Sequence, residues 1–158
     1  MVTIDYLADH PAVLARTAVW LHRQWLEEWG YSRRQAADEL RGRLSRDRLP
    51  LALVALAGES PVGVASLVEL EKPESTTLVC CLSGVYVPPS WRRQGIGRLL
   101  CRRAAAEAAR LQFASVGLFT RGLEPFYAEM GWRRVMDTVP PKSGERGTVA
   151  FMELTFAR

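Results

Sequence analysis

Between Val85 and Thr120 a strand-like run meets a basic glycine turn, a long apolar helix and a second short strand. Val85-Tyr86-Val87 closes the first run and Pro88-Pro89 stops it. The turn reads Ser90-Trp91-Arg92-Arg93-Gln94-Gly95-Ile96-Gly97-Arg98. Over 95–113 the spacing predicts a helix, with Leu99, Leu100, Ala104, Ala108 and Leu111 on one side. Residues 115–120 follow as a strand. Two parallel strands need such a crossover helix, so this order predicts one parallel pair inside the sheet.

The rest of the chain predicts antiparallel pairing around that unit. Residues 2–7 alternate weakly as a short strand. Asp9 or His10 caps a helix that Pro11 opens, and Leu14, Ala18, Leu21, Trp25 and Trp29 form one apolar stripe up to Gly30. Ser32-Arg33-Arg34-Gln35 is a capping box for a second helix, expected to run to Asp47 with Ala36, Leu40 and Leu44 buried. Residues 51–57 and 62–71 read as a hairpin turning at Gly58-Glu59-Ser60-Pro61, with Gly63 a weak point in the second strand. A third strand spans 76–87. A short helix over 123–130 stops at Gly131. Strands over 132–137 and 148–155 flank a polar loop, 139–147. The expectation is an α+β fold: a mixed, mostly antiparallel sheet of six to seven strands with helices on both faces.

The 158 residues are few enough for a single domain, taken as 1–158, and many enough to bury a core without disulfides or a metal. Hydrophobic residues at 48% and charged residues at 24% exclude a disordered or collagen-like chain. No apolar run reaches the ~18 residues of a membrane span, and Met1-Val2-Thr3-Ile4-Asp5 lacks the features of a signal peptide. Cys80, Cys81 and Cys101 are an odd set with no C-x-x-C, and His10 and His22 complete no zinc site. They read as small buried hydrophobes in a reducing, cytoplasmic protein, with no metal expected.

The net charge of +4 suits an anionic ligand. From Trp91 to Arg134 nine arginines stand against Glu107, Glu124 and Glu129. Arginine forks phosphate well, although genome composition also raises arginine content. No helix-turn-helix, zinc finger or RNA-binding strand motif accompanies them, so nucleic acid is not the expected partner. The turn itself is the better anion site. Free N–H groups and a helix dipole converge there, and Gly95 and Gly97 admit a ligand close to the main chain. It is not a Walker loop, since no Gly-Lys-Ser/Thr follows, nor G-x-G-x-x-G, since position 100 is Leu.

Arg92-Arg93-Gln94-Gly95-Ile96-Gly97 resembles the Arg/Gln-x-x-Gly-x-Gly/Ala signature of the Gcn5-related N-acetyltransferase (GNAT) family. The strand Leu82-Ser83-Gly84-Val85-Tyr86-Val87 looks like that family's fourth strand. Phe126-Tyr127-Ala128-Glu129-Met130-Gly131-Trp132 looks like its Phe-Tyr-x-x-x-Gly-Phe/Trp motif. Order and spacing match over essentially the whole chain. Trp29-Gly30 and the compact C-terminal hairpin are similar to small bacterial-type members, and protein N-terminal acetyltransferases share parts of the pattern.

The resemblance implies acetyl-CoA as co-substrate, an amine acceptor (small molecule or peptide) and direct attack in a ternary complex. The pyrophosphate would lie on Arg92, Arg93, Gln94, Gly95, Ile96, Gly97 and Arg98. The pantetheine arm would pair with the main chain of Val85, Tyr86 and Val87 and reach Thr120. The Val85 N–H would be the oxyanion donor and Tyr127 the acid that protonates the leaving thiolate. Trp25, Glu28, Trp29, Tyr31 and Ser83 would form the acceptor pocket. A monomer or homodimer is expected, with no membrane partner. Two departures stand out. Cys81 occupies the position of the family's usual strand glutamate, leaving water relayed by Glu27, Glu28 or Ser83, or an amine arriving neutral, to replace a base. Thr120 stands where the family often has asparagine. Without that glutamate, a non-catalytic acyl-CoA sensor is the alternative reading.

Overall fold

The structure, a computed structural model, describes residues 1–140 and 147–157. Most of the expected 139–147 loop lies outside them. Seven strands form one sheet in the order β1-β2-β3-β4-β5-β7-β6. They are β1 (Val2–Tyr6), β2 (Leu51–Ala57), β3 (Ser60–Glu71), β4 (Leu78–Tyr86), β5 (Ser115–Thr120), β6 (Arg133–Thr138) and β7 (Val149–Thr155). The helices are α1 (Leu14–Leu21), α2 (Arg33–Arg41), α3 (Ile96–Arg110) and α4 (Glu124–Ala128). Every pairing is antiparallel except β4 with β5, across the α3 crossover. The expected α+β architecture is therefore the one observed.

Strand alternation divides the core. Leu51, Leu53 and Ala55 of β2 face α3 and α4, with Leu100, Ala104, Tyr127 and Trp132. Ala52, Val54 and Leu56 face the opposite way, onto Leu14, Ala18, Leu21, Ala36 and Leu40 of α1 and α2. Each face removes a separate apolar stripe from water, which is what holds helices on both sides.

The first helical segment departs from a single stripe. α1 ends at Leu21, and His22–Leu26 form a π turn. Glu27 N bonds His22 O at 2.8 Å and Tyr31 N bonds Leu26 O at 2.9 Å, both spanning five residues. The wider turn brings His22 and Leu26 into the buried positions and leaves Trp25 and Trp29 half-buried. α2 begins at the expected capping box: Gln35 N donates to Ser32 Oγ at 3.1 Å and Ser32 N to Gln35 Oε1 at 2.8 Å. It stops at Arg41, short of Asp47, because the β2 edge captures the backbone that follows. Arg43 O accepts from Ala52 N at 2.8 Å, and Leu44 bridges to Leu51.

Two arginines of α3, Arg103 and Arg110, converge on one buried carboxylate. Glu107 is buried and accepts from the Tyr6 hydroxyl, from Arg103 Nε at 3.3 Å and from Arg110 Nη2 at 2.9 Å. Arg103 also donates to Ile4 O at 3.0 Å, and Arg110 reaches Asp47 at 3.3 Å. This network ties α3 to β1 and to the α2–β2 connection. Burial alone would raise the Glu107 carboxyl; the Tyr6 hydroxyl and the two guanidinium groups overcome it and hold it below its ordinary 4.5. Its stabilisation is therefore full above that value and is lost as pH falls through the depressed one. Glu107→Gln is expected to cost about 1–3 kcal/mol at neutral pH. In thermal melts its deficit against wild type should shrink as the solution is acidified below 4.5. A deficit independent of pH would contradict the ionised network.

Candidate active site

The two faces of β4 exchange halfway along the strand. Its register with β3 runs from Leu78 opposite Glu71 to Ser83 opposite Ser66, then resumes with Tyr86 opposite Val64. Gly84 and Val85 therefore share the single partner Ala65, a β-bulge. Gly84 sits at φ 63°, where a side chain would be strained. The extra residue inverts the alternation: Val85 joins Leu82 and Val87 on the α3 side, while Tyr86 turns to α1 and α2. On the other edge, β4 pairs with β5 only at Cys81 opposite Gly117. Among the described residues, β4 from Leu82 to Tyr86 has no ladder partner on the β5 side, so main-chain groups there are available to an extended ligand.

The gap leads to the basic turn. A cleft of about 420 Å³ is lined by Val87, Trp91, Arg92, Arg93, Gly95, Ile96, Gly97, Arg98 and Phe126. Arg93 (φ 66°) and Gly95 (φ 81°) both take left-handed backbone, an alternation that gathers N–H groups into an anion-binding concavity. Gly95 caps α3 without a side-chain hydrogen bond, leaving the first-turn N–H donors of the helix for a ligand. Arg92 Nε donates to Val87 O at 2.8 Å, and its guanidinium lies 5.5 Å from the centroid of the Tyr86 ring, bracing the turn against the strand end. Arg98 pairs with Glu129 at 3.0 Å and stacks on Phe126. Phosphate would compete with Glu129 for this exposed pair. Arginine-lined and rich in main-chain donors, the cleft fits a pyrophosphate.

The remaining expected residues fall into two groups. Gln94 is exposed on the loop and does not line the cleft, and Thr120 is buried at the end of β5 opposite Ala150. Tyr127 follows Phe126 on α4 and is 7% exposed, its ring packed against Phe126 and Trp132 at centroid distances of 5.0 and 6.0 Å. Burial, with Cys101 beside it, pushes its phenol well above the ordinary value of 10, so it keeps its proton through the neutral range. Across the sheet, Trp25 meets the Tyr86 ring at 6.3 Å. Ser83 is half-buried on β4, on the same side as Tyr86. Tyr31 and Trp29 pack against the α1/α2 core. His22 Nε2 donates to Tyr31 O at 2.9 Å, which holds the turn. Glu27 and Glu28 are exposed.

Trp91 and Phe126 of the cleft, and Trp20, 5.8 Å from the Tyr86 ring, were not among the expected site residues. Trp91 stands in the turn itself beside Arg92 and Phe126 in the motif beside Tyr127, whereas Trp20 is brought there by the tertiary fold.

Cys81 is fully buried, its sulfur 3.5 Å from the point a Cβ on Gly117 would occupy. Burial, reinforced by Cys80, pushes its thiol up to about 12. Such a thiol is neither a base nor a ready nucleophile near neutral pH. Cys81→Ser is expected to retain turnover within a few fold. Trapping an acetyl group on Cys81 would contradict this.

The residue pattern that suggested a family is matched by comparison. Residues 14–132 fit the model of the Acetyltransferase (GNAT) family. The chain belongs to that family. No curated protein matches the sequence. Among solved structures it is similar to an aminoglycoside 6'-N-acetyltransferase complexed with coenzyme A, at 18% identity and TM-score 0.77 over 99% of this chain and 98% of that one. An aminoglycoside 6'-N-acetyltransferase from Enterococcus faecium gives 19% and 0.73, over 99% and 98%. Ribosomal-protein-alanine N-acetyltransferase from Brucella melitensis gives 24% and 0.69, over 99% of each chain. At these identities the likeness is one of fold. Among the described residues no helix is long and apolar enough to cross a membrane.

Proposed function

We propose that the protein transfers an acetyl group from acetyl-CoA to a primary amine by direct attack within a ternary complex. The observation that carries this reading is the half-unpaired fourth strand running straight into an uncapped, arginine-lined helix start. One segment can thus pair with an extended amide arm and then cradle a pyrophosphate. The structural neighbours support an amine acceptor: two are aminoglycoside 6'-N-acetyltransferases and one is a ribosomal-protein-alanine N-acetyltransferase.

Acetyl-CoA supplies the thioester. The main chain of the turn from Arg93 to Arg98 holds the pyrophosphate, with Arg92 and Arg98 adding charge. Val85 and Val87 pair with the pantetheine arm. The Val85 N–H donates to the carbonyl oxygen as negative charge develops there. Tyr127 gives its proton to the departing sulfur and is reprotonated at the expense of the nitrogen, which sheds its extra proton as the amide forms; burial ensures that the phenol carries its proton when the sulfur leaves. The acceptor attacks as the free amine, having lost its proton to water beside Ser83; Cys81 takes no part.

Two-substrate initial rates test the order of events. Direct transfer predicts intersecting double-reciprocal lines and no release of CoA until the amine is present. Parallel lines, or an acetylated enzyme formed without amine, would contradict it.

A further inference from the structure

We infer that the acceptor amine also carries a carboxylate, and that Arg43 binds that carboxylate on the α1/α2 side of the β4 bulge. This rests on the acetyltransferase reading above and narrows its substrate. The placement of Arg43 is forced from both sides. Its N donates to Leu40 O at 3.0 Å as α2 ends, and its O accepts from Ala52 N at 2.8 Å on the β2 edge. The side chain reaches the bulge: Nη1 lies 3.8 Å from the point a Cβ on Gly84 would occupy, with Leu21 Cδ2 at 3.7 Å from that same point.

The Arg43 side chain is 14% exposed, yet its one carboxylate partner among the described residues is Glu39, at 3.5 Å and itself 40% exposed. One long bond engages one of five N–H donors. Burial pulls against the charge of this group, with Glu39 and Tyr31 offsetting it only in part. A largely desolvated, weakly paired guanidinium is costly unless an anion joins it, and its planar fork matches a carboxylate.

The surroundings suit a small polar acceptor. Ser66 pairs in register with Ala52 and Ser83 on this side of the sheet; its hydroxyl is buried and has no hydrogen-bond partner among the described residues. Trp20, Trp25 and Tyr86 form an aromatic group on the same side. Gly84 directly precedes Val85, the proposed oxyanion donor, and neighbouring Cα atoms are about 3.8 Å apart. A carboxylate on Arg43 is therefore a few bonds from an amine attacking at Val85, the spacing of an amino acid. A polycationic amine would bring like charge to Arg43.

The test compares kcat/KM for free amino acids, the same amino acids as carboxamides, short peptides with an acidic second residue, and kanamycin. Wild type is expected to prefer the acids over their amides by roughly tenfold or more. Preference for the acidic peptides over the free acids would identify a peptide as the source of the carboxylate. Arg43→Gln should erase the preference, mainly through KM, while stabilisation by acetyl-CoA persists and shows that the variant is folded. Arg43→Lys, which keeps charge but not the fork, should restore part of it. Equal use of acids and amides by wild type, or turnover of carboxylate-free amines alone, overturns the inference and leaves the acetyltransferase reading standing. No turnover of any amine overturns both.

Discussion

Gly97→Asp is expected to abolish the stabilisation that acetyl-CoA gives to the wild-type protein. A ligand at about a hundred times its Kd stabilises a folded state by about 2.7 kcal/mol, worth roughly 5–10 °C in melting temperature for a chain of this size. Gly97 lies in the first turn of α3 and lines the cleft. A Cβ there would lie 3.8 Å from Phe126 Cζ and 3.9 Å from Val87 Cγ2, which is ordinary contact. The free protein therefore tolerates the change, and an acidic residue in a first helical turn is favourable to the dipole. The loss falls on the ligand: the carboxylate would occupy the anion site and repel pyrophosphate. Thermal melts with and without acetyl-CoA decide the matter. An undiminished shift in the variant would place the pyrophosphate elsewhere.

Tyr127→Phe is expected to lower kcat by at least about tenfold, a floor set below the 10²–10⁴ usual for general acids because water can partly replace the phenol. The ring packs against Phe126 and Trp132, and phenylalanine preserves that packing. What disappears is a proton that burial holds on the phenol. The CoA sulfur gains charge only as the thioester breaks, so the hydroxyl lowers the barrier more than it aids binding. The acetyl-CoA shift should accordingly survive in this variant while turnover falls. Equal kcat in Tyr127→Phe and wild type would remove Tyr127 from the mechanism.

Local chemistry was legible in the residue order, and long-range pairing was not. The capping box at Ser32 and Gln35 and the helix start at Gly95 follow from side-chain type and spacing, and both occur as expected. The crossover between β4 and β5 follows from element order alone. The bulge at Gly84 and Val85 does not, because it is a property of the β3–β4 register, and no periodicity within β4 reveals it. The π turn at His22–Leu26 escaped for a similar reason: the stripe through Trp25 and Trp29 fits an ordinary helix, and packing decides against it. Arg43, Ser66 and Trp20 carried no motif, and their placement depends on partners distant in sequence. Nor does helix spacing reveal the partners of Arg103 and Arg110 outside α3, the Tyr6 ring and Asp47, which lie far away in sequence.

The measurement closest to the central claim is product stoichiometry. The protein is mixed with acetyl-CoA and the panel of amines, free thiol is followed in time, and the amines are weighed by mass spectrometry. Acetyl transfer predicts thiol release that requires an amine, with one acetylated amine formed for each CoA released. Binding of acetyl-CoA with no acetylated amine from any acceptor class, or thiol release indifferent to the amine, would contradict it.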